Sequence, residues 1–221
     1  ELQSYFIRRI EKFVDANGKK LIGWDEILEG GLSEKATVMS WRGTSGGVQS
    51  IRMHHDVIMT PSTYYYLDFG QDAPYKEPLA FNAYMPLRDC YNYEPEEDII
   101  KACGEYDANI MKHLLGVQGN LWAETLNDNA ELEYCLLPRI LALAEVGWLP
   151  VEKKSWMSFY RRLQSHDEIL DQLGYTYAKH YIEPKEYIAV ERAVMEAEEI
   201  LAASIRGGVG YPTAEVYDAL Q

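Results

Sequence analysis

Apolar positions in the first fifteen residues recur at helical spacing. Leu2, Phe6, Ile10, Phe13 and Val14 are interleaved with Arg8, Arg9, Glu11 and Lys12, which predicts an amphipathic helix over 2–15. Asn17-Gly18 then supplies a left-handed cap. Four short apolar runs follow: KLIGW (20–24), TVMSW (37–41), DVIMT (56–60) and LLGVQ (114–118). They lack polar alternation, the pattern of strands buried on both faces. Helical stretches separate most of them. Helices are expected over 46–54, over 130–146, which is almost continuously apolar, and over 155–173, which is amphipathic. Strand and helix in alternation imply right-handed parallel βαβ units, so the fold class is α/β. Four strands are half of an eight-stranded α/β barrel.

Two regions break this rhythm. Residues 69–97 hold Pro74, Pro78, Pro86 and Pro95 and read as a long loop, a feature that in compact domains usually serves function. Residues 186–205 read as another amphipathic helix, broken by GGVGYP, after which a helix from Thr213 reaches Gln221. The first helix starts without room for a cap and the last stops early, which predicts a chain cut from a longer one. The expected division is 1–182 as one domain and 183–221 as a truncated helical extension.

Composition narrows the function. The 221 residues are 47% hydrophobic and 25% charged, which excludes disorder. No apolar run approaches the length that spans a bilayer, so no membrane partner is expected. Thirty-five acidic against 21 basic residues give a net charge of −14, which argues against nucleic acid. Cys90, Cys103 and Cys135 form no CxxC and have no neighbouring base, and no nucleotide-binding glycine pattern is present. His54 and His55 precede a strand at the end away from a barrel's working face and are expected in solvent. His113, His166 and His180 have no partner at metal spacing, so neither metal nor cofactor is expected.

In parallel α/β barrels the working residues stand just past the C-terminal ends of strands. Here those positions hold Trp24-Asp25-Glu26, Trp41-Arg42, Tyr64-Tyr65-Tyr66 with Asp68, and Asn120 with Trp122 and Glu124. Three tryptophans at equivalent strand ends, each beside a charged group, suit a sugar. Indole faces pack on pyranose C–H faces, and carboxylates accept from hydroxyls. Alternate residues of an extended run point apart, so only one or two of Tyr64–Tyr66 can face a pocket. Trp148 and Trp156 read as packing residues, and Asp128, Glu131 and Glu133 as favourable charge at a helix N-terminus.

Five blocks in order, KKLIGWDEI (19–27), ATVMSWRG (36–43), DVIMTPSTYYYLD (56–68), GVQGNLWAE (116–124) and LLPRILALAEVGW (136–148), resemble glycoside hydrolase family 20, the β-N-acetylhexosaminidases. The resemblance implies a (β/α)8 TIM barrel, of which this chain would be the C-terminal half, strands five to eight. It implies release of terminal N-acetylhexosamine from β-linked glycans, with the substrate's 2-acetamido oxygen as nucleophile. By resemblance Trp24, Trp41 and Trp122 enclose the sugar. Tyr66 bonds the acetamido oxygen, and Asp68 and Glu124 accept from the O4 and O6 hydroxyls. The resemblance also implies a secreted, periplasmic or cell-surface location.

One block of the family is missing. Its catalytic Asp-Glu pair lies in an HxGGDE segment after the fourth strand, and this sequence has none. Asp25-Glu26 follows the fifth-strand tryptophan and is read as rim support. The isolated chain is therefore expected to be inactive, and its half-barrel edges to favour self-association. Two alternatives stand beside this reading: a non-catalytic carbohydrate-binding module derived from such an enzyme, and an α/β enzyme using Asp25 and Glu26 as its own carboxylate pair.

Overall fold

The computed structural model describes residues 2–32, 35–72, 76–179 and 181. The chain divides into two units, Glu1–Ala178 and Lys179–Gln221. The expected helices of 186–205 and beyond Thr213 lie outside the described residues, as does His180.

The first unit is built on a four-stranded parallel sheet in the order β1-β2-β3-β6, with β1 Ile22–Trp24, β2 Thr37–Ser40, β3 Val57–Met59 and β6 Leu114–Val117. Each strand falls inside its expected run. Ile22 pairs with Thr37, Val38 with Val57 and Val57 with Leu114. The next pair is Ile58 with Gly116, so Leu115 is an extra residue, a bulge accommodated by Gly116 at φ 138°. Burial on both faces holds for Val38, Val57 and Met59 but fails at the ends of the sheet, where Ile22 and Leu115 are exposed. Among the described residues, neither outer strand has a further neighbour on its free side.

Helices cross between the strands. α1 (Leu2–Ala16) matches the expected helix, yet Leu2, Phe6 and Phe13 are exposed while Ser4 and Glu11 are buried. The Ser4 hydroxyl donates to the Glu29 carbonyl (3.1 Å), which sets the buried side of α1 against the chain after β1. α2 (Ser45–Arg52) lies against β2 and β3 through Ile51 and Gly47. Ser40 fixes its entry. Its hydroxyl donates to the Gly43 carbonyl and accepts from the Gly47 N–H, both at 2.8 Å. The glycine turn is thus a close helix–sheet approach.

The described residues of 69–97 form successive elements rather than one loop. After the single turn α3 (Ser62–Tyr65), β4 (Phe69–Gly70) and β5 (Phe81–Tyr84) pair in parallel, and α4 (Leu87–Asn92) and α5 (Pro95–Cys103) follow. Pro86 and Pro95 stand where helices begin. Pro86 caps α4 and Pro95 starts α5, positions where a missing N–H costs nothing. α6 (Ala108–Met111) leads into β6.

The expected helix over 130–146 is two helices, α7 (Asn129–Leu136) and α8 (Arg139–Trp148), because Pro138 has no N–H for the ladder and holds Leu137 extended. Asp128 caps α7, its carboxylate accepting from the Glu131 N–H (2.9 Å), and Glu131 reaches back to the Asn127 N–H (2.7 Å). α9 (Trp156–Leu173) begins at the Ser155 cap and ends at Gly174, φ 76°. Trp156 packs against Tyr91 and Phe159, whereas Trp148 is 86% exposed and is not a packing residue. His54 is exposed as expected, but His55 is buried, with Nδ1 3.2 Å from the Ala36 carbonyl, and His113 is paired with Asp56 (2.9 Å). The burial of His55 follows from parallel packing, which covers the N-terminal ends of neighbouring strands with each other's approach segments. No helix among the described residues is long and apolar enough to cross a membrane.

A Cβ at Gly47 would stand 2.4 Å from the Met59 sulfur and 3.1 Å from the Ser40 Cβ. Overpacking of this kind costs about 1–3 kcal/mol, against a helix-propensity gain of at most about 1 kcal/mol. Gly47→Ala is therefore expected to lower the denaturation midpoint; an unchanged or raised midpoint would show that the contact is loose.

Candidate functional site

All four strands of the sheet end on one side, and the residues that follow them converge there. Trp24 closes β1 and leads into a single 3-10 turn, Asp25–Leu28. Asp25 is only 2% exposed. One of its oxygens accepts from the Trp41 and Arg42 backbone N–H groups (3.1 Å each) and the other from Arg42 Nε (2.6 Å). Arg42 also reaches Glu29 (3.0 Å). Both Glu26 oxygens lie 3.0–3.1 Å from Trp41 Nε1, so the indole nitrogen donates into the carboxylate. Adjacent carboxylates thus hold Trp41 twice, by its backbone and by its ring. Asp25, with its acceptors filled by donors, is not placed to share a reaction with Glu26.

Past β3 the chain makes the α3 turn, so the three tyrosines are not the extended run the sequence suggested. They leave it in three directions. Tyr64 stacks on Tyr93 (4.5 Å between ring centres). Tyr65 is buried, its hydroxyl directed to the Cys90 carbonyl (3.5 Å). Tyr66 turns into the cleft. Asn120 fixes this arrangement by bridging to Tyr66 as an isolated parallel pair. Its N–H donates to the Tyr65 carbonyl (2.8 Å), its carbonyl accepts from the Leu67 N–H (2.7 Å), and its side-chain amide donates to the Thr60 hydroxyl (2.6 Å).

The resulting cleft is open and has a volume of about 450 Å³. Trp24, Trp41, Tyr66, Asp68, Trp122 and Glu124, six positions singled out from the sequence, all line it. Trp41 stacks on Tyr66 (5.9 Å, 15° between planes), Trp24 is tilted against Trp122 (5.8 Å, 42°), and Tyr66 meets Trp122 at 6.3 Å. Glu26, Ser62 and Phe69 also line it. Phe69 sits edge-on to Tyr66 (5.5 Å, 61°), so it backs a residue already chosen. Ser62 lay within a quoted block and Phe69 one position past it, but neither residue type singles itself out. Two other concavities of similar size lie along α8 and α9 and along α1; neither gathers the side chains from the strand ends.

The electrostatics of the cleft centre on Asp68, which is 2% exposed. One oxygen receives a long hydrogen bond from the Trp122 N–H (3.5 Å). The other has no partner among the described residues. Burial raises the Asp68 pKa, and nearby Glu124 acts in the same direction. Hydrogen bonds from its own and the Trp122 backbone N–H, and the charge of Arg139, oppose that rise. The Tyr66 hydroxyl is likewise pushed up by burial, so at neutral pH it is a phenol able to donate. No cluster of three or more His, Cys, Asp or Glu side chains among the described residues is arranged to hold a metal ion.

The family model of the glycosyl hydrolase family 20 catalytic domain matches residues 1–151. A β-hexosaminidase of Porphyromonas gingivalis is 48% identical over 178 residues, covering 80% of this chain and 22% of that protein. One of Vibrio furnissii is 35% identical over 149 residues, covering 66% of this chain and 24% of that protein. Among solved structures, an exo-β-N-acetylglucosaminidase from Vibrio harveyi in complex with N-acetylglucosamine aligns with a TM-score of 0.71 at 31% identity, covering 80% of this chain and 27% of that one. The chain belongs to glycoside hydrolase family 20. It spans between 22% and 27% of the length of these relatives.

The Asp68 carboxyl binds its proton more tightly in the folded chain than in the unfolded one. Ionised Asp68 therefore costs the fold stability, a cost absent below the unfolded pKa and complete once pH has risen through the folded one. Asp68→Asn is expected to raise the melting temperature at neutral pH, with the gain vanishing at about pH 3. A gain that is constant with pH, or a loss at neutral pH, would contradict the assignment.

Proposed function

We propose that this chain carries strands five to eight of the (β/α)8 barrel of a β-N-acetylhexosaminidase, and that its cleft encloses the terminal N-acetylhexosamine of a β-linked glycan. On this reading residues 1–182 belong to the catalytic domain and 183–221 to a helical extension. The observation that carries it is the convergence of three indoles, a neutral buried phenol and the carboxylates of Asp68 and Glu124 in one cleft, one Asp68 oxygen having no partner among the described residues. A sugar ring offers apolar faces to the indoles and hydroxyl donors to the carboxylates.

The chemistry follows from these positions. The glycosidic bond breaks as the acetamido oxygen bonds the anomeric carbon, while a general acid protonates the leaving oxygen. Trp24, Trp41 and Trp122 hold the acetamido group against the ring and keep water out. Tyr66 donates to the acetamido oxygen as it attacks, a task that needs its proton in place. A dry, aromatic wall strengthens that hydrogen bond and orients the attack. Asp68 and Glu124 accept from the O4 and O6 hydroxyls. The Asp-Glu pair that orients the acetamido group and supplies the proton is not in this sequence, which contains no HxGGDE segment.

Two outcomes are expected of the chain alone. It should bind N-acetylglucosamine weakly in a calorimeter, with Trp122→Ala lowering affinity roughly tenfold, and it should release no nitrophenol from a nitrophenyl N-acetylglucosaminide. Measurable turnover would refute the division of the site, and tight binding without hydrolysis would favour a binding module. The exposed apolar residues of α1 and the open outer strands support self-association; sedimentation velocity is expected to show species larger than a monomer, and a compact monomer would count against it.

A further inference from the structure

Arg139, the first residue of α8, is completely buried. Its guanidinium donates to three backbone carbonyls: Leu67 (2.6 Å) and Cys135 (2.9 Å) from Nη2, and Met85 (3.1 Å) from Nη1. None of these partners is a carboxylate, and Nε has no partner among the described residues. Burying a charge this way is costly unless its field or its hydrogen bonds do something no apolar side chain can. The carbonyls come from three places: the turn carrying Tyr66 and Asp68, the residue just past β5, and α7. Only a planar fork with several donors joins three such acceptors at once.

We propose that Arg139 is a positioning residue of the sugar cleft, pinning the Leu67 carbonyl between Tyr66 and Asp68 and supplying the buried positive charge that keeps Asp68 an acceptor. This rests on the sugar-binding reading above. The Leu67 N–H is already held by Asn120, so Arg139 closes the other side of the same residue and fixes the turn from both directions. Four groups act on Asp68 or feel its charge. Glu124, across the cleft, disfavours its ionisation and Arg139 favours it. Tyr66, on the same turn, and Cys135, on α7, are neutral at neutral pH and each is raised by its burial. Arg139 is thus the one cation among them. It acts through the turn and the field, without touching the sugar.

The test uses the full chain with R139K, which keeps the charge but loses the fork, and R139M, which loses both. Carboxyl-carbon NMR, assigned with Asp68→Asn, reads the Asp68 titration midpoint, and calorimetry reads N-acetylglucosamine affinity. R139M is expected to raise the midpoint and to abolish measurable binding. R139K should leave the midpoint near that of the wild type while lowering affinity roughly tenfold or more. A purely structural arginine would lower the melting temperature in both variants without moving the midpoint, and an unmoved midpoint in R139M overturns the proposal. Failure of both variants to fold also overturns it, marking Arg139 as a requirement of the fold. A wild-type chain that binds no sugar refutes the sugar reading instead, while the midpoint still reports the hold of Arg139 on Asp68.

Discussion

Parallel pairing of β1, β2, β3 and β6 is the constraint on which everything else rests. Parallel hydrogen bonding makes every strand of the sheet finish on the same side, and each must then cross back before the next begins. Side chains as distant in sequence as Trp24 and Trp122 are thereby made neighbours. The aromatic contacts at 5.8–6.3 Å refine the cleft, but the ladder creates it.

Two buried carboxylates show how differently the same group can be used. Asp25 has its acceptors filled by two backbone N–H groups and the Arg42 side chain. It is a structural clamp that joins the ends of β1 and β2. Asp68 is equally hidden, yet one of its oxygens has no partner among the described residues. Leaving a buried carboxylate oxygen open costs stability unless a ligand brings the missing donor. The cost sits beside a buried arginine whose own bonds run only to carbonyls, so charge is balanced through space rather than by a direct ion pair.

Much of this was legible in the sequence, and the exceptions have physical causes. Unalternating runs of Val, Ile, Leu and Met marked the strands, because a central parallel strand is apolar on both faces. The rule of strand C-terminal ends then selected the six cleft residues. Three-dimensional crowding was not legible. The α3 turn sends Tyr64, Tyr65 and Tyr66 to three different surroundings, where an extended run would have alternated them. Pro138 divides an apolar stretch whose composition reads as one helix. Arg139 lay in a quoted block, but nothing in its neighbourhood says that a cation there is sealed from water. Trp148 shows the reverse error, since an aromatic in an apolar helix is expected to pack and instead faces outward.

The bulge at Leu115 resets the end of β6. With one residue left over between the Val57 and Ile58 pairings, β6 changes phase: from Gly116 onward, each side chain points opposite to where an uninterrupted strand would send it. The facing of the last two residues of β6 is therefore decided by a leucine that lies outside the ladder and a glycine that lets the chain absorb it.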